Sequence, residues 1–481
     1  MSELLTRSTV TNIGYNTVAK IIAFAFQGLA NIILSQNLGA SDYGIVGFAM
    51  IFANFLGRFN DLGIQTAVVQ RKNLDDRTLY TAFTVKAVLG LLTYAITFVV
   101  AGFSPYFFDN PAVITVIRLI SLNFIINTFA FLPRVLLIRD LDFKKLSISE
   151  VLLSITSSLI AVVMALNGFK YWSIVVATLA SNIVAVIVVA RFRPVKLKLV
   201  FDKEIALELV RFGGNLFLSG MIVFLLFNAD NFVVGSTAGS AALGYYALAF
   251  NWGSLICMVL GDVVHSVLFP TFSKIQGDTD RIKSAYLKVL EVVGFVAVFV
   301  NLVLFLGADE FLYYMLGKGT DKWFPALATL RIICCYGIVR ALLEPLGSVI
   351  MAIGKTELLL KANFLAAALE LILLYPVIKL FGIFGVGVLI TLAYFTQYLV
   401  FWPAVRSSLT INAKEVLTVT MPFVFPAVVI GSLFMIMRGY VVPMIGIIAI
   451  PVGVVLFIVI SGILSGWKLV HQVRGLFLKN G

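Results

Sequence analysis

The sequence predicts an all-α integral membrane protein, and three observations support this fold class. Of the 481 residues, 60% are hydrophobic and only 12% are charged, whereas an average soluble domain has about 25% charged residues. Apolar runs of about 20 residues, the length a helix needs to cross the hydrocarbon core, recur from residue 12 to residue 464. The chain also repeats itself, because residues 34–50 align with residues 234–250 at a constant offset.

The apolar runs are separated by charged residues or by Gly, Pro and Asn, and they predict about fourteen transmembrane helices. Their expected positions are 12–38, 43–69, 78–103, 112–138, 147–167, 171–191, 206–235, 242–269, 284–307, 324–353, 357–380, 383–405, 415–437 and 440–465. Each half of the duplication contains six helices. Because six is even, both repeats enter the membrane from the same side and are parallel. We therefore expect an N-lobe in 1–195, a C-lobe in 196–410, and two additional helices with a cytoplasmic tail in 411–481.

The aligned halves share glycines and arginines at equivalent positions. Gly44 matches Gly244 in the first aligned segment, and further along the chain Arg118 matches Arg331. An internal duplication of this kind is typical of transporters, in which the substrate site lies near the bilayer midplane between the repeats.

Lysine and arginine are distributed unevenly between alternate predicted loops. One set of loops contains 21 of them and the opposite set contains five. Cytoplasmic loops retain positive charge, so both termini are expected in the cytoplasm. The net charge of +12 does not indicate a nucleic-acid partner, because the cations are dispersed over short loops and no basic aqueous domain carries them. Membrane lipid is the expected neighbour of these loops.

The three cysteines lie inside apolar runs, away from any His/Cys ligand spacing. They are Cys257, Cys334 and Cys335. Neither a disulfide framework nor a zinc site is indicated, and we expect no metal or other cofactor.

Polar residues inside the predicted spans are the candidates for a functional site, because a charge facing lipid at a helix centre costs about 2.5–3.5 kcal/mol. At 100° per residue, helix 1 places five polar residues within an arc of about 100°, and helix 2 places four within about 60°. They are Asn12, Asn16, Lys20, Gln27 and Asn31 on helix 1, and Asn54, Arg58, Asp61 and Gln65 on helix 2. Lys86 adds a cation on helix 3. We expect these side chains to line a watery central cavity.

The later helices carry polar faces of different chemistry, because the position equivalent to Arg58 is the apolar Met258. The polar sets are Asn123, Asn127 and Arg134 on helix 4, Asn215, Ser219 and Asp230 on helix 7, Asn251, Asp262 and His265 on helix 8, and Tyr336, Arg340 and Glu344 on helix 10. Arginine and lysine suit a diphosphate because they donate charge-assisted hydrogen bonds, and amides suit sugar hydroxyls. The predicted substrate-binding residues are Lys20, Asn31, Asn54, Arg58, Asp61, Gln65, Lys86, His265 and Arg340.

Each charged candidate also has a structural interpretation, which the sequence leaves open. Arg58 with Asp61, Asp262 with His265, and Arg340 with Glu344 have the spacing of intrahelical pairs that hold a lobe together. Asp230 either accepts hydrogen bonds from Asn231 and nearby amides or couples transport to an ion. Asp262 and Glu344 are further candidates for ion coupling, and His265 is either a core residue or a titrating contact to substrate.

Several motifs carry a resemblance to a known superfamily. They are LGASDYG (38–44), FNDLGI (59–64), NGFKYWS (167–173), NADNFVVGS (228–236), LGYYALAF (243–250) and LFPTFSKIQGD (268–278). In their order and spacing the chain resembles the multidrug/oligosaccharidyl-lipid/polysaccharide (MOP) exporter superfamily. Within it, the chain is similar to the Wzx-type polysaccharide flippases of the colanic-acid and teichuronic-acid exporter group.

The resemblance implies a V-shaped pair of six-helix lobes that work by alternating access. It implies translocation of an undecaprenyl-diphosphate-linked oligosaccharide from the inner to the outer face of the bacterial cytoplasmic membrane, with polysaccharide polymerase and assembly proteins as partners. The helix count is similar to that of the lipid II flippase MurJ, which has essential basic residues on helices 1, 2 and 8. Lys20 and Arg58 match the first two by helix position, whereas helix 8 offers only His265.

Two other functions compete with this interpretation. An ion-coupled multidrug exporter of the same fold would need acids in its cavity for cationic drugs, whereas the first half has Lys20, Arg58 and Lys86 against Asp61. A membrane glycan polymerase or ligase would need a sizeable external loop, and the longest predicted one, 308–323, is short. Because the sequence has no Gly-rich phosphate loop and no nucleophile–base arrangement, we expect a non-enzyme. Coupling to Na⁺, H⁺ or the membrane potential stays open.

Overall fold

The computed structural model describes residues 2–71, 74–261, 264, 272, 278–438 and 446–465. Within these ranges the chain is helical and contains no strand. Ten helical segments of this part are long and apolar enough to cross a membrane. The protein is therefore a multi-pass helical membrane protein, as its composition predicts, while the total of about fourteen spans stays a prediction.

The main helices follow the predicted apolar runs. They are α1 (Ser2–Asn37), α2 (Ala40–Asp61), α3 (Ile64–Gln70), α4 (Asp76–Val100), α5 (Ala112–Ile120), α6 (Asn123–Arg139), α7 (Phe143–Leu166), α8 (Trp172–Phe192), α9 (Lys203–Gly253), α10 (Thr279–Leu306), α11 (Leu327–Ala352), α12 (Thr356–Leu409), α13 (Ala413–Arg438) and α14 (Gly446–Leu464). Short helical turns occupy much of the predicted 308–323 loop, including Ala308–Glu310 and Phe311–Leu316.

Several predicted boundaries differ from the structure. The first helix begins at Ser2 rather than near residue 12, and the predicted helix 112–138 consists of α5 and α6 with a turn between them. The predicted continuous helix 43–69 is interrupted, because Leu62 (φ 40°) and Gly63 (φ 67°) both take left-handed backbone conformations between α2 and α3. Only glycine adopts that conformation at little steric cost, and the helix ends where the sequence supplies one.

Two long helices contain a break at a glycine. α9 is non-helical at Gly239 (φ 85°) and α12 at Gly382 (φ 61°). In each case the glycine lies between two predicted spans, and in each case the two spans follow one another almost without a loop.

The chain divides into two compact units, Met1–Tyr245 and Tyr246–Gly481. The first unit thus contains the first part of α9 in addition to α1–α8. One of its apolar cores joins α3, α4, α6 and the start of α9, and it consists of Ile64, Ala67, Val68, Leu79, Ala82, Phe83, Val85, Phe131, Leu132, Val135, Ala206 and Leu209. The division predicted at residues 195 and 410 stays a prediction.

A reciprocal glycine contact joins α2 to the part of α9 that follows Gly239, within the first unit. A Cβ atom added at Gly44 would lie 1.8 Å from the carbonyl oxygen of Ser240, and one added at Gly244 would lie 1.8 Å from that of Ala40. The hydroxyl of Ser41 donates to that of Ser240 at 3.0 Å. The sequence alignment of 34–50 with 234–250 pairs Gly44 with Gly244 and Ala40 with Ser240, so the contact joins positions that the alignment makes equivalent.

The two units also share a local arrangement around an arginine. Arg118 donates from Nε to the carbonyl oxygen of Phe98 (3.1 Å) and lies over the ring of the same Phe98. Arg331 donates from Nε to the carbonyl oxygen of Phe305 (3.3 Å) and lies over the ring of Phe305. Each of these two arginines, which the sequence alignment pairs, therefore anchors the end of a preceding helix within its own unit.

Candidate functional site

A cavity of about 600 Å³ lies within the first unit, walled by α2, α3, α4, α6 and the first part of α9. Its lining carries three cations, one carboxylate and five amide side chains. These residues are Asn54, Arg58, Asn60, Asp61, Gln65, Lys86, Asn127, Arg134 and Asn228. Aromatic side chains from α6 and α9 complete the wall. Polar groups in a membrane-spanning bundle are normally gathered around such an interior space.

Four of the predicted site residues lie on one wall of this cavity. Asn54, Arg58 and Asp61 follow each other at helical spacing along α2, and Gln65 continues the wall from α3. Side chains three to four residues apart share a face of a helix, which is why the sequence pattern places them together. Ala53, next to Asn54 in the chain, is buried and lies outside the cavity lining.

Arg58 faces the cavity as an exposed side chain. Its guanidinium lies 5.4 Å from the ring centroid of Phe224 on α9, a cation–π distance. Among the described residues, the ion-pair partner of Asp61 is Lys86 rather than Arg58. The intrahelical Arg58–Asp61 pair, which the sequence left open, is therefore not the arrangement found.

Lys86 reaches the end of α2 from α4. Its ammonium donates to the carbonyl oxygen of Asn60 at 2.7 Å and lies 3.8 Å from Oδ1 of Asp61. The Lys86 side chain is 10% exposed, whereas that of Asp61 is 60% exposed. Oδ1 of Asn60 is buried and has no hydrogen-bond partner within the described part of the chain. At the end of α2, one buried ammonium therefore contacts a backbone carbonyl oxygen and a carboxylate.

Helix α6 contributes the third cation of the cavity, and α9 contributes an amide. Arg134 and Asn127 lie two turns apart on the face of α6 that lines the space, and Asn228 lies opposite on α9. The sequence placed Arg134 and Asn127 on one side of their helix but did not include them among the site residues. Asn60 and Asn228 were also missed, although both lie inside the quoted FNDLGI and NADNFVVGS motifs.

The structure does not bring Lys20 and Asn31 into this cavity. Both are exposed on α1, and the residues that line the cavity belong to other helices. Helix α1 packs against α7, where Ser154 donates to the carbonyl oxygen of Ala23. Lys20 therefore does not share this cavity with Arg58, and its contact with substrate stays a prediction. The side chains of Asn12 and Asn16 lie outside the described residues.

Arg340 belongs to a partly buried polar cluster of the second unit. It donates to Glu344 from Nε (3.4 Å) and to the hydroxyl of Tyr336 from Nη1 (2.9 Å), and its guanidinium lies 5.6 Å from the ring centroid of Tyr394. The intrahelical pairing of Arg340 with Glu344 is thus the arrangement found. Neither residue lines the cavity described above.

The remaining candidates lie on α9 or beyond the described residues. Asp230 is 4% exposed, and Nδ2 of Asn231 donates to its Oδ1 at 3.0 Å. This is the hydrogen-bonded interpretation that the sequence offered for the acid. Asp262 and His265 lie outside the described residues, as do the side chains of Asn215 and Ser219.

The charges of the cavity favour an anion. Three cations against one carboxylate leave an excess of positive charge, and two of the cations are arginines, which bind phosphate oxygens through paired hydrogen bonds. Amide side chains both donate and accept, so they suit neutral hydroxyl-rich groups. Within the described residues, no group of three or more His, Cys, Asp or Glu side chains is arranged to hold a metal ion.

Comparisons with known proteins agree with the superfamily indicated by the motifs. A family model described as "Polysaccharide biosynthesis protein" matches residues 33–327. The chain is 24% identical to the lipopolysaccharide biosynthesis protein WzxC of Escherichia coli (strain K12), over 75% of this chain and 73% of WzxC. It is also 24% identical to the teichuronic acid biosynthesis protein TuaB of Bacillus subtilis (strain 168), over 71% of this chain and 69% of TuaB. The resemblance to Wzx-type proteins is confirmed.

Solved structures identify the fold. The lipid II flippase MurJ in an inward closed conformation aligns with a TM-score of 0.74 over 93% of this chain and 98% of MurJ, at 13% identity. An inward-facing multidrug resistance MATE family transporter of the MOP superfamily aligns with a TM-score of 0.62 over 81% of this chain and 94% of that chain, at 17% identity. The fold is therefore of the MurJ/MATE type.

Proposed function

Because the chain belongs to the family of polysaccharide biosynthesis proteins, we propose that it is a flippase for a lipid-linked oligosaccharide. In this proposal it moves an undecaprenyl-diphosphate-linked repeat unit from the cytoplasmic to the outer leaflet of the bacterial inner membrane. The product serves exopolysaccharide or lipopolysaccharide synthesis, in which a polysaccharide polymerase and assembly proteins act next. The observation that carries the proposal is a membrane-embedded cavity with three cations against one carboxylate.

The cavity suits the head of such a lipid better than its tail. A diphosphate is a compact anion, and Arg58 with Arg134 offers guanidinium donors from two different helices. The amides of Asn54, Asn127 and Asn228 surround them and offer partners for sugar hydroxyls. A volume of about 600 Å³ falls in the range of about 300–1,000 Å³ typical of small-molecule sites. The polyprenyl chain remains in the lipid during transport.

Alternating access provides the mechanism, without covalent chemistry. The cations lower the electrostatic cost of carrying a diphosphate through the membrane. When the substrate has left, the empty cavity is positively charged, and a membrane potential negative inside favours its return at about 2.3 kcal/mol per charge per 100 mV. Both termini lie in the cytoplasm in this scheme. Coupling to Na⁺ or H⁺ would add to the same cycle.

An ion-coupled multidrug exporter is the second candidate, favoured by the structural likeness to a MATE family transporter. Cationic drugs would meet Arg58, Lys86 and Arg134 in the cavity, and their binding would be opposed by like charges. The two candidates therefore differ in the sign of the substrate charge.

Transport in reconstituted vesicles tests the proposal. The purified protein is placed in liposomes that contain a defined undecaprenyl-diphosphate oligosaccharide, and a membrane-impermeant glycosidase reports how much of the lipid has crossed. We expect Arg58→Ala and Arg134→Ala each to lower the rate by about tenfold or more, because each removes a charge-assisted contact worth about 1.5–3 kcal/mol. Arg118→Ala is the matched control, since Arg118 lies inside a span but outside the cavity.

Two results would reject the proposal. Full transport by the Arg58→Ala/Arg134→Ala double variant would remove the cavity from the mechanism. Efflux of a cationic dye by the wild-type protein, with no movement of the lipid-linked oligosaccharide, would favour the multidrug exporter.

A further inference from the structure

The interruption between α2 and α3 exposes a helix end inside a membrane-spanning segment. The span Ala40–Gln70 contains the break, and Leu62 and Gly63 at the break have left-handed backbone conformations. The last carbonyls of a helix lack intrahelical donors, and this end carries partial negative charge. Within a membrane, such groups must be satisfied by protein or by a water-filled cavity. The end of α2 therefore needs a donor or a cation.

Lys86 supplies both a hydrogen-bond donor and a positive charge at the end of α2. Its ammonium donates to the carbonyl oxygen of Asn60 at 2.7 Å, which satisfies one of the end carbonyls. The same ammonium lies 3.8 Å from Oδ1 of Asp61, the last residue of α2. One cation from α4 thus meets two negative features of α2, the helix end and a carboxylate.

The surroundings of Lys86 differ from those of the arginines. Its side chain is 10% exposed, and its ammonium donates to the Asn60 carbonyl oxygen and lies 3.8 Å from Oδ1 of Asp61. Arg58, by contrast, is exposed to the cavity and faces an aromatic ring. The Lys86 ammonium already contacts two oxygen atoms of the protein. It is therefore less available to bind an incoming phosphate than the Arg58 guanidinium, which faces the cavity.

We propose that Lys86 is a positioning residue, the internal counter-ion of the α2 end, rather than a direct ligand of the substrate phosphates. By neutralising Asp61, it prevents a carboxylate in the cavity wall from repelling the anionic head that Arg58 and Arg134 bind. The effect on transport rests on the proposed function, whereas the counter-ion role at the helix break does not. This changes the assignment of Lys86, which the sequence placed among the substrate contacts.

The charged groups around Asp61 explain why the counter-ion role falls to Lys86. Arg58 lies one turn earlier on α2, Arg134 comes from α6, and α9 contributes Phe224 and Asn228, which carry no charge. Without Lys86, the carboxylate of Asp61 would stand in the cavity without its ion-pair partner. The anionic head would then meet two arginines and one unneutralised acid in a membrane-embedded site, where like charges repel more strongly than in bulk water.

A double-mutant cycle between Lys86 and Asp61 tests the inference. Lys86→Gln removes the charge but keeps an amide donor for the Asn60 carbonyl, which protects the fold. We expect Lys86→Gln to lower transport by about tenfold in the wild-type background, and by much less in the Asp61→Asn background. The Lys86→Gln/Asp61→Asn double variant should recover to within about threefold of Asp61→Asn, because the uncompensated acid is then gone.

The outcome separates the counter-ion role of Lys86 from two others, a phosphate ligand and a simple helix cap. Recovery in the double variant supports the counter-ion role. A double variant as slow as Lys86→Gln overturns it, because a phosphate ligand or a simple helix cap cannot be replaced by removing the charge of Asp61. Lys145→Ala is the matched control, since Lys145 also pairs with an aspartate, Asp142, at 2.8 Å but lies outside the cavity. Its transport should equal that of the wild type.

Thermal unfolding of the same four proteins, in detergent and without substrate, distinguishes this inference from the proposed function. We expect Lys86→Gln to lower Tm. In the double variant, Asp61→Asn should reverse part of that loss. If this coupling is present while the wild type moves no lipid-linked oligosaccharide, the proposed function fails and the counter-ion role stands. If the wild type transports but neither Tm nor transport shows coupling, the inference fails alone.

Discussion

Two arginines within membrane-spanning helices have contrasting surroundings. Arg58 in the first unit is exposed on a cavity wall, with the ring of Phe224 beside its guanidinium. Arg340 in the second unit is held by its own helix, through hydrogen bonds to Tyr336 and Glu344. Burying a charge is costly unless it is paired and hydrogen-bonded. Arg340 meets that condition within the protein, whereas Arg58 faces an open space that a ligand can enter.

The contrast shows that a charge in a span does not by itself indicate a binding site. Both arginines have an acid at helical spacing, Asp61 three residues after Arg58 and Glu344 four residues after Arg340. In one case the acid pairs with a lysine of another helix, and in the other it pairs with the arginine itself. The neighbouring helix therefore decides whether an intramembrane arginine stabilises the fold or remains available to substrate.

The largest expected effect separates the two arginines by stability. Arg340→Ala removes two charge-assisted hydrogen bonds, to Glu344 and to Tyr336, and each is worth about 1.5–3 kcal/mol. Arg58→Ala removes a cation–π contact at an exposed site, worth about 0.5–1 kcal/mol. Thermal unfolding in detergent should therefore show a large fall in Tm for Arg340→Ala and a small one for Arg58→Ala. Equal falls in Tm would mean that the two arginines contribute equally to stability, and would contradict the distinction drawn between them.

A smaller effect is expected from the hydroxyl of Tyr336. Tyr336→Phe keeps the ring and removes the 2.9 Å hydrogen bond to Arg340, and a hydrogen bond to a charged group contributes about 1.5–3 kcal/mol. Asn54→Ala is the counterpart on the cavity wall and should change the free energy of unfolding by about 0.5 kcal/mol or less, because Asn54 is exposed. A stability loss for Asn54→Ala as large as that for Tyr336→Phe would contradict this distinction. It would mean that the cavity wall stabilises the fold as much as the hydrogen-bonded cluster around Arg340 does.

The sequence predicts those features that depend on the spacing of residues along one helix. The apolar runs predict the helices, and the face shared by Asn54, Arg58 and Asp61 predicts a polar wall that the structure places in one cavity. The alternatives offered for Asp230 and Arg340 include the arrangements that the structure contains. In each case the partner lies within four residues on the same helix, so local geometry is sufficient.

Features that depend on a neighbouring helix could not be predicted in this way. The partner of Asp61 is Lys86 on α4, and helical spacing contains no information about which helices are adjacent. For the same reason the polar arc of Lys20 and Asn31 did not reveal that α1 lies outside the walls of the cavity. The break at Gly63 was also missed, because an apolar run with one glycine is compatible with a continuous helix.

The smallest expected effect concerns the pair of Lys145 and Asp142, whose side chains are 42% and 30% exposed, against 22% and 18% for Arg340 and Glu344. Asp142 precedes α7 and accepts from the backbone N–H of Lys145 (3.3 Å), and its carboxylate pairs with the ammonium of Lys145 (2.8 Å). The hydrogen bond from the Lys145 side chain is the main reason why the pKa of Asp142 lies below its ordinary value. Replacing a helix N-cap with alanine costs about 1 kcal/mol, so Asp142→Ala should lower Tm slightly at neutral pH.

Acid and salt should both reduce this difference between Asp142→Ala and the wild type. A carboxyl whose pKa is lowered by folding stabilises the protein at pH values above its unfolded pKa, and the contribution is lost as the pH falls through the folded value. Salt screens exposed charges more than buried ones, so the loss caused by Arg340→Ala should change little between low and high ionic strength. Unfolding at two pH values and two salt concentrations measures both trends. An Asp142→Ala effect larger than that of Arg340→Ala would contradict the ranking of these ion pairs by burial. An effect independent of pH would contradict the stabilising role of the Asp142 carboxylate.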